Sequence, residues 1–386
     1  MDAGRRILEK VLQRGVEEGV FPGAVALVAQ GGKIVFLEPV GYRSIVPERA
    51  PMARETIFDL ASLTKVFATV PAIMKLVDQG RIALDDSLSK LVPSASLGDK
   101  RDLTLRLLLT HSAGLVDWKP FYERLRDLAL KERKRLLREW IIEEPFAYEP
   151  GKGSLYSDLG FMLLEWVIEE QTGETLLEFV KGNFYGTLGL RRTLFGGGEG
   201  RGQDAGLAGD DKPILTNTGR DFPREEFAAT EDCPWRKRVL QGEVHDDNAW
   251  TLGGHSGHAG LFSTAEEIFV MANMLREHYQ GKREDFFKPK TVREFFKRQE
   301  IVKGSDWAIG WDTRAFEGSS AGKYFSRDSV GHTGFTGTSI WMDLERDVIA
   351  ILLSNRVHPK RDNDKIKQFR PVFHDAVMEE LGLANA

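Results

Sequence analysis

Apolar, β-rich runs stand at the two ends of this chain, and most of what lies between them carries helical periodicity. Near the N-terminus, Gly23–Ala29 and Lys33–Val40 flank Gln30-Gly31-Gly32, and two such runs around a tight glycine turn predict a hairpin. Near the C-terminus, Ser339–Leu344 and Val348–Ser354 flank Glu345-Arg346-Asp347. This is a second hairpin signal, and Val348–Ser354 is apolar enough for a central strand. A last helix is expected over Ile366–Leu383. The simplest solution is one sheet assembled from both termini, with a helical insertion between its halves. Two sequential α+β domains would need more strands in the middle than its pattern offers.

The middle supplies helical repeats at Thr64–Gln79, Leu103–Leu109, Phe121–Ile142, Leu159–Gln171 and Thr175–Lys181. Basic residues crowd Phe121–Ile142, but Glu123, Asp127, Glu132 and Glu139 are interleaved, the pattern of a solvated helix face. Gly196–Asp211 holds seven glycines and reads as a loop or linker. Within it, Gly200–Ala205 nominally matches a dinucleotide fingerprint. It neither follows a strand nor opens a helix, so no nucleotide site is expected there.

Composition narrows the partners. With 386 residues, the prior of about 150 per domain allows two or three domains, or one large domain with an insertion. Hydrophobic residues at 41% and charged residues at 29% exclude a disordered chain and a membrane bundle. A net charge of −5 supplies no basic field, so no nucleic-acid partner is expected. The lone Cys233 excludes an intrachain disulfide and any multi-cysteine metal site. At the N-terminus, Ile7, Leu8, Val11, Leu12 and Val16 recur at helical spacing among charges, unlike the h-region of a signal peptide. No run is apolar enough for a membrane span. Taken as written, the chain is expected to be cytoplasmic. A periplasmic or secreted protein stripped of its export signal would read the same.

The chemistry begins at Ser62-Leu63-Thr64-Lys65. A serine hydroxyl is a weak nucleophile until something removes its proton, and a lysine three residues on lies on the same helix face. Serine in the first turn also gains from the free N–H groups of the helix start. Burial of Lys65 among Leu60, Val66 and Phe67 would lower its pKa towards use as a base. Read alone, the motif also fits a serine cap with a surface lysine. Two further signals accompany it. Tyr156-Ser157-Asp158 follows Glu149-Pro150-Gly151 and precedes the Leu159–Gln171 helix, where a loop phenol can face a site. His332-Thr333-Gly334-Phe335-Thr336-Gly337-Thr338 reads as a small-residue loop leading into Ser339–Leu344, where a backbone N–H could hold an oxyanion.

Together these motifs resemble S-x-x-K, Y-x-N and K-T-G, in that order, of the serine β-lactamases and penicillin-binding proteins. The similarity is to the class C-like branch with a tyrosine, which includes D-alanyl-D-alanine carboxypeptidases and esterases. Leu109–Leu115, Pro150-Gly151 and Gly257–Thr264 add to the likeness, which runs from about Gly23 to the last helix. The resemblance implies a β-lactamase/transpeptidase-like α+β fold: a five-stranded antiparallel sheet flanked by helices. Residues 1–60 and 265–386 would form the sheet domain and 61–264 a mostly helical one, with the active-site cleft between them. It implies that Ser62 is acylated, that Lys65 and Tyr156 share the proton transfers in an order disputed in the family, and that the Ser62 and Phe335 backbone N–H groups form the oxyanion hole. Asp158, His332, Thr333 and Gly334 would bind substrate.

Two positions depart from the family. Asp158 stands where asparagine is usual. A carboxylate cannot donate to a substrate carbonyl and would raise the Lys65 pKa. His332 replaces the K-T-G lysine, which weakens the preference for a carboxylate and favours an ester or neutral amide. His245, His255 and His258 cluster locally, but their glycine-rich spacing gives no preorganised metal face, and a loop lining the cleft is the better reading. His111 is expected to pack or hydrogen-bond, and Cys233 to be a bystander. The expectation is a serine hydrolase acting on a small ester, D-Ala peptide or β-lactam, without cofactor or metal. Two alternatives stay open: a penicillin-binding or peptidoglycan-sensing module that acylates with little turnover, and a catalytically dead interaction protein. Oligomeric state is not legible.

Overall fold

The computed structural model describes residues 6–197 and 222–384, so the Gly200–Ala205 run and most of the Gly196–Asp211 segment lie outside the described residues. Helix α1 (Ile7–Glu17) leads into β1 (Gly23–Gln30), β2 (Lys33–Ser44) and β3 (Ala50–Pro51). The C-terminal part adds β4 (Asp312–Thr313), β5 (Val330–Thr333), β6 (Ser339–Asp343) and β7 (Val348–Ser354). They form one sheet in the order β3-β2-β1-β7-β6-β5-β4, antiparallel at every pairing. The two chain ends meet at its centre, where β1 pairs with β7 from Ala24↔Ser354 to Gln30↔Val348. Gly31 and Gly32 turn the first hairpin at φ +60° and +78°, which glycine reaches without a Cβ clash.

The sheet has seven strands, not the expected five. The additional pair, β3 and β4, are two-residue strands at the two edges, too short to carry a period-2 pattern. A second correction concerns His332 and Thr333. They close strand β5, paired to Ile340 and Ser339, and only Gly334–Thr338 form the turn. Short strands also occur in the middle of the chain, among them Phe58–Asp59 and Leu194–Phe195, both paired with Leu261–Ser263.

Both faces of β1 and β7 are covered, which is why these runs are continuously apolar rather than alternating. Ala24, Ala26 and Val28 join Ala350 and Leu352 in a core against α1 and the last helix. Val25, Leu27 and Ala29 join Ile349, Ile351 and Leu353 in the larger core shared with the middle helices. The expected Thr64–Gln79 helix opens as a π-helical turn, Lys65–Thr69, before α2 (Val70–Asp78). Phe121–Ile142 is broken into Tyr122–Leu125 and α3 (Leu130–Glu143). Helices α4 (Asp158–Thr172), α5 (Ala265–Gln280) and α6 (Ile366–Glu380) lie within two or three residues of the expected ends or, for α5, were not anticipated. No helix among the described residues is long and apolar enough to cross a membrane.

Candidate active site

Strand Phe58–Asp59 delivers the chain into a tight turn carrying Ser62. The buried Asp59 carboxylate accepts from Ala61 N at 2.8 Å and His245 N at 2.7 Å, fixing the turn. Ala61 is left-handed at φ +47°, a conformation that costs a non-glycine residue about 1–3 kcal/mol. The strain is held by neighbours. Thr64 Oγ1 donates to Ala61 O at 2.6 Å, and two threonines of the β5–β6 turn reach across: Thr336 Oγ1 to Asp59 O at 2.7 Å, Thr338 Oγ1 to Leu60 O at 3.0 Å.

Lys65 follows one helical turn later and is fully buried. Its Nζ donates to Asp158 Oδ1 at 2.7 Å, to Ser62 Oγ at 3.2 Å and to His258 O at 3.2 Å. It also stands 4.8 Å from the centroid of the Tyr156 ring. Burial pulls the Lys65 pKa down, but Asp158 and Tyr156 together push it up further, so the net shift is upward. The expectation that burial would make Lys65 a neutral base is therefore corrected: it rests as an ammonium. The opposing expectation, that Asp158 raises it, agrees with the geometry. Asp158 occupies the first turn of α4, after Ser157, whose side chain caps the helix.

The Tyr156 hydroxyl is buried with no partner in hydrogen-bond geometry among the described residues. Burial raises its pKa, and Lys65 lowers it without cancelling the effect, so the phenol keeps its proton. His111 sets the tyrosine's place: its Nδ1 accepts from Ser157 N at 3.0 Å and its ring lies 4.5 Å from the Tyr156 ring. His332 donates from Nδ1 to Thr333 O at 2.9 Å, and burial, then Lys65, lower its pKa to about 3. It is neutral at pH 7.

Ser62, Tyr156, Asp158, His332, Thr333, Gly334 and Phe335 all line one cavity of about 790 Å³, within the usual range for small-molecule sites. Lys65 lies beneath Ser62 rather than on the wall. His245 and His258 also line the cavity, as the loop reading expected, but His255 does not. Cys233 is buried in strand Ala229–Cys233.

Several residues here escaped the sequence reading. Arg370 of α6 donates Nη2 to Gly334 O at 2.6 Å and Thr338 O at 2.9 Å, while its buried Nε has no partner among the described residues. Arg356 donates Nε to Phe335 O at 2.7 Å and lies over the Phe335 ring. The available signal for Arg370 was a charged residue between Phe369 and Phe373 on a mostly apolar face. Asp158, Asp246 and His258 also converge, with ligand-type atoms within 4.8 Å of one another. Asp158 already faces Lys65, and Asp246 faces His258 at 3.0 Å, so the group is charge-balanced by the chain's own residues.

Comparison with known proteins identifies the family. The family model described as Beta-lactamase matches residues 8–371. The N-acetylmuramyl-L-alanine amidase of Bacillus subtilis is 29% identical over 381 residues, covering 92% of this chain and 81% of that protein. A Salmonella typhimurium protein named "Putative D-alanyl-D-alanine carboxypeptidase" is 28% identical over 386 residues, covering 93% and 84%. Among solved structures, EstCE1, a hydrolase with promiscuous acyltransferase activity, superposes with a TM-score of 0.70 at 22% identity, covering 96% of this chain and 97% of that one. The octameric penicillin-binding protein homologue from Pyrococcus abyssi gives 0.68 at 23% identity, covering 99% and 78%. The structural likenesses establish the fold, and the match along nearly the whole sequence establishes the lineage: the chain belongs to the beta-lactamase family.

Proposed function

We propose that this beta-lactamase-fold protein is a serine hydrolase that cleaves an ester or amide through an acyl-enzyme on Ser62. The observation that carries the reading is Lys65 Nζ at 3.2 Å from Ser62 Oγ, with the Tyr156 phenol over the same ammonium. A buried lysine between a serine and a carboxylate has no evident role in fold stability that an apolar side chain would not fill better.

Acylation starts from the minor population in which Lys65 is neutral. Lys65 takes the Ser62 proton as Oγ bonds to the substrate carbonyl carbon. Tyr156 gives its proton to the leaving alcohol or amine as that bond breaks, and Lys65 returns one to the phenoxide. Water then attacks the ester by the same path in reverse. The oxyanion faces the backbone N–H groups of Ser62 and Phe335, neither of which meets a protein acceptor among the described residues. Such a donor is worth about 3–4 kcal/mol in comparable sites. Substrate lies along Thr333 and Gly334, between a helical lobe from the described part of 61–264 and the sheet lobe from 1–60 and 265–386.

The substrate class is a small ester, a D-Ala peptide or a β-lactam. Loss of the K-T-G lysine at His332 weakens carboxylate binding, but Arg370 restores a cation on the same wall. The test is intact-protein mass spectrometry after a fluorophosphonate or β-lactam probe. One adduct is expected on the native chain and none on Ser62→Ala; equal labelling of both overturns the reading. An adduct stable for hours without turnover of any ester would make the chain an acylating sensor instead.

A further inference from the structure

A second histidine chemistry lies directly behind Lys65. His258 is buried, and its two ring nitrogens meet different partners: Nε2 is 3.0 Å from Asp246 Oδ1, and Nδ1 is 3.0 Å from Ser256 Oγ. Serine, histidine and aspartate in this order resemble a hydrolytic triad, but Ser256 is wholly buried and cannot meet substrate. Its single proton is also committed. Ser256 Oγ donates to Glu165 Oε2 at 3.2 Å, and Gly257 N donates to the same oxygen at 3.0 Å. Glu165 is paired with Lys134 at 2.7 Å, which keeps it ionised and acceptor-only.

The donor inventory then points to the charged ring. With its proton turned to Glu165, Ser256 Oγ accepts from Nδ1. Asp246 also accepts from Ala249 N at 2.7 Å and can only accept from Nε2. In that arrangement both nitrogens carry hydrogen. The segment is pinned as well: Gly257 O accepts from Thr69 Oγ1 at 2.6 Å, and His258 O accepts from Lys65. A Cβ on Gly257 would fall 2.2 Å from Phe161 O, so only glycine allows this approach.

We propose that His258 is a resident imidazolium and a positioning residue: held between Asp246 and the Ser256–Glu165 pair, it fixes the carbonyl that receives Lys65 and balances the charge of Asp246 beside the Lys65–Asp158 pair. Asp246 meets its ring, with His245 beside Asp246; Glu165 of α4 reaches it through Ser256, and Asp158 of α4 and Lys65 of the π-helical turn act on it from the other side of its own carbonyl. Burial and Lys65 oppose its charge, and Asp246 and Asp158 outweigh them, so its pKa is raised. Loss of its proton at alkaline pH breaks the Nε2–Asp246 or Nδ1–Ser256 bond and loosens the segment that carries the carbonyl. The positioning role rests on the reading of Lys65 given above; the charge state does not.

The experiment is NMR of the full chain labelled with [15N]histidine and [15N]lysine, with His258→Asn and Lys65→Arg used for assignment. Both His258 ring nitrogens are expected to be protonated at pH 7, and the Lys65 resonance to move with the His258 midpoint. Asp246→Asn keeps the helix cap, since asparagine caps as well as aspartate, and should lower the midpoint by about one pH unit or more. A neutral His258 at pH 7 overturns the inference, as does an unmoved midpoint in Asp246→Asn. A Lys65 resonance indifferent to the His258 titration overturns the positioning role. If Asp246→Asn fails to fold, the native titration decides alone. Failure of every probe to label Ser62, with both His258 ring nitrogens protonated, would sink the hydrolase reading and the positioning role with it, and leave the charge state of His258 standing.

Discussion

Lys65 Nζ lies 2.7 Å from the Asp158 carboxylate and 3.2 Å from the Ser62 hydroxyl, so the nitrogen placed to take the serine proton is already held by an anion. That pair sets how much neutral lysine exists at a given pH. Its stabilisation is present below the ordinary lysine pKa and is lost as pH rises through the raised one, an alkaline window.

Replacing Asp158 by asparagine, the residue usual in the family, removes the anion and leaves burial to pull the Lys65 pKa down. The rising limb of Ser62 labelling against pH should move to lower pH by about a unit or more, the usual size of a buried charge-pair effect. Stopped-flow labelling with a fluorophosphonate across pH 6–10 measures it. A drop of more than about tenfold at pH 7 without a moved limb would mean that Asp158 itself takes the proton.

The turn after β5 is fitted to the Ser62 turn with no room to spare. A Cβ on Gly334 would sit 2.1 Å from Thr338 Oγ1 and 2.5 Å from Leu60 O, and Leu60 lies two residues before Ser62. Gly334→Ala must therefore displace the backbone that presents both Ser62 and Phe335. We expect a stability loss of about 1–3 kcal/mol, typical of overpacking, and a labelling rate reduced more than about tenfold. Urea unfolding and labelling on the same sample separate the two effects; an unchanged rate would show that this contact does not position the serine.

How much of this was legible in the sequence divides by the range of the interaction. The Ser62–Lys65 pair is local, one helical turn, and Tyr156 and Asp158 announced themselves before an apolar helix. Four strands, β1, β2, β6 and β7, were legible because burial on one or both faces writes itself into continuous or alternating apolar runs; β5, four residues ending in His332-Thr333, read as part of the loop that follows it. β3 and β4 were not legible, because two residues carry no period. The state of Lys65 depended on Asp158, ninety-three positions away, and on Tyr156, and only the folded geometry decides which influence prevails. The sequence could place His258 in a cleft-lining loop and mark Arg370 as a charge on a buried face, but what Arg370, Asp246 and His258 touch is set by contacts across the fold.

Arg370 is buried, it donates to the Gly334 and Thr338 carbonyls, and among the described residues no carboxylate is paired with it. Burial, then Arg356, pulls its pKa to about 9, so it remains cationic at neutral pH and favours an anionic ligand. A peptide ending in a free carboxylate should be turned over better than its C-terminal amide. Arg370→Lys keeps the charge but loses the planar fork and should cut that ratio by about tenfold, which is ~1.4 kcal/mol. Paired kcat/KM values for acid and amide test it, because a general loosening of the fold would lower both and leave the ratio alone.

His332 and His374 are buried neutral, each with its pKa lowered to about 3 by burial in the first place. Unfolding returns them to the ordinary value of 6.5, where they bind protons the folded state refuses. The unfolded state therefore holds more protons between pH 6.5 and 3, and stability falls as pH is lowered through that window, by up to about 1.4 kcal/mol per pH unit for each group. His374 isolates the effect because it lies in α6, away from the cavity lining, with Nδ1 donating to Ser320 O at 2.7 Å. Asparagine can reproduce that bond without titrating. His374→Asn should flatten the fall in urea-unfolding free energy between pH 6.5 and 4.5 by nearly one group's share, whatever it does to stability at pH 7. Parallel curves for the native chain and the variant would show that His374 takes up its proton in the folded state and that burial does not hold it neutral.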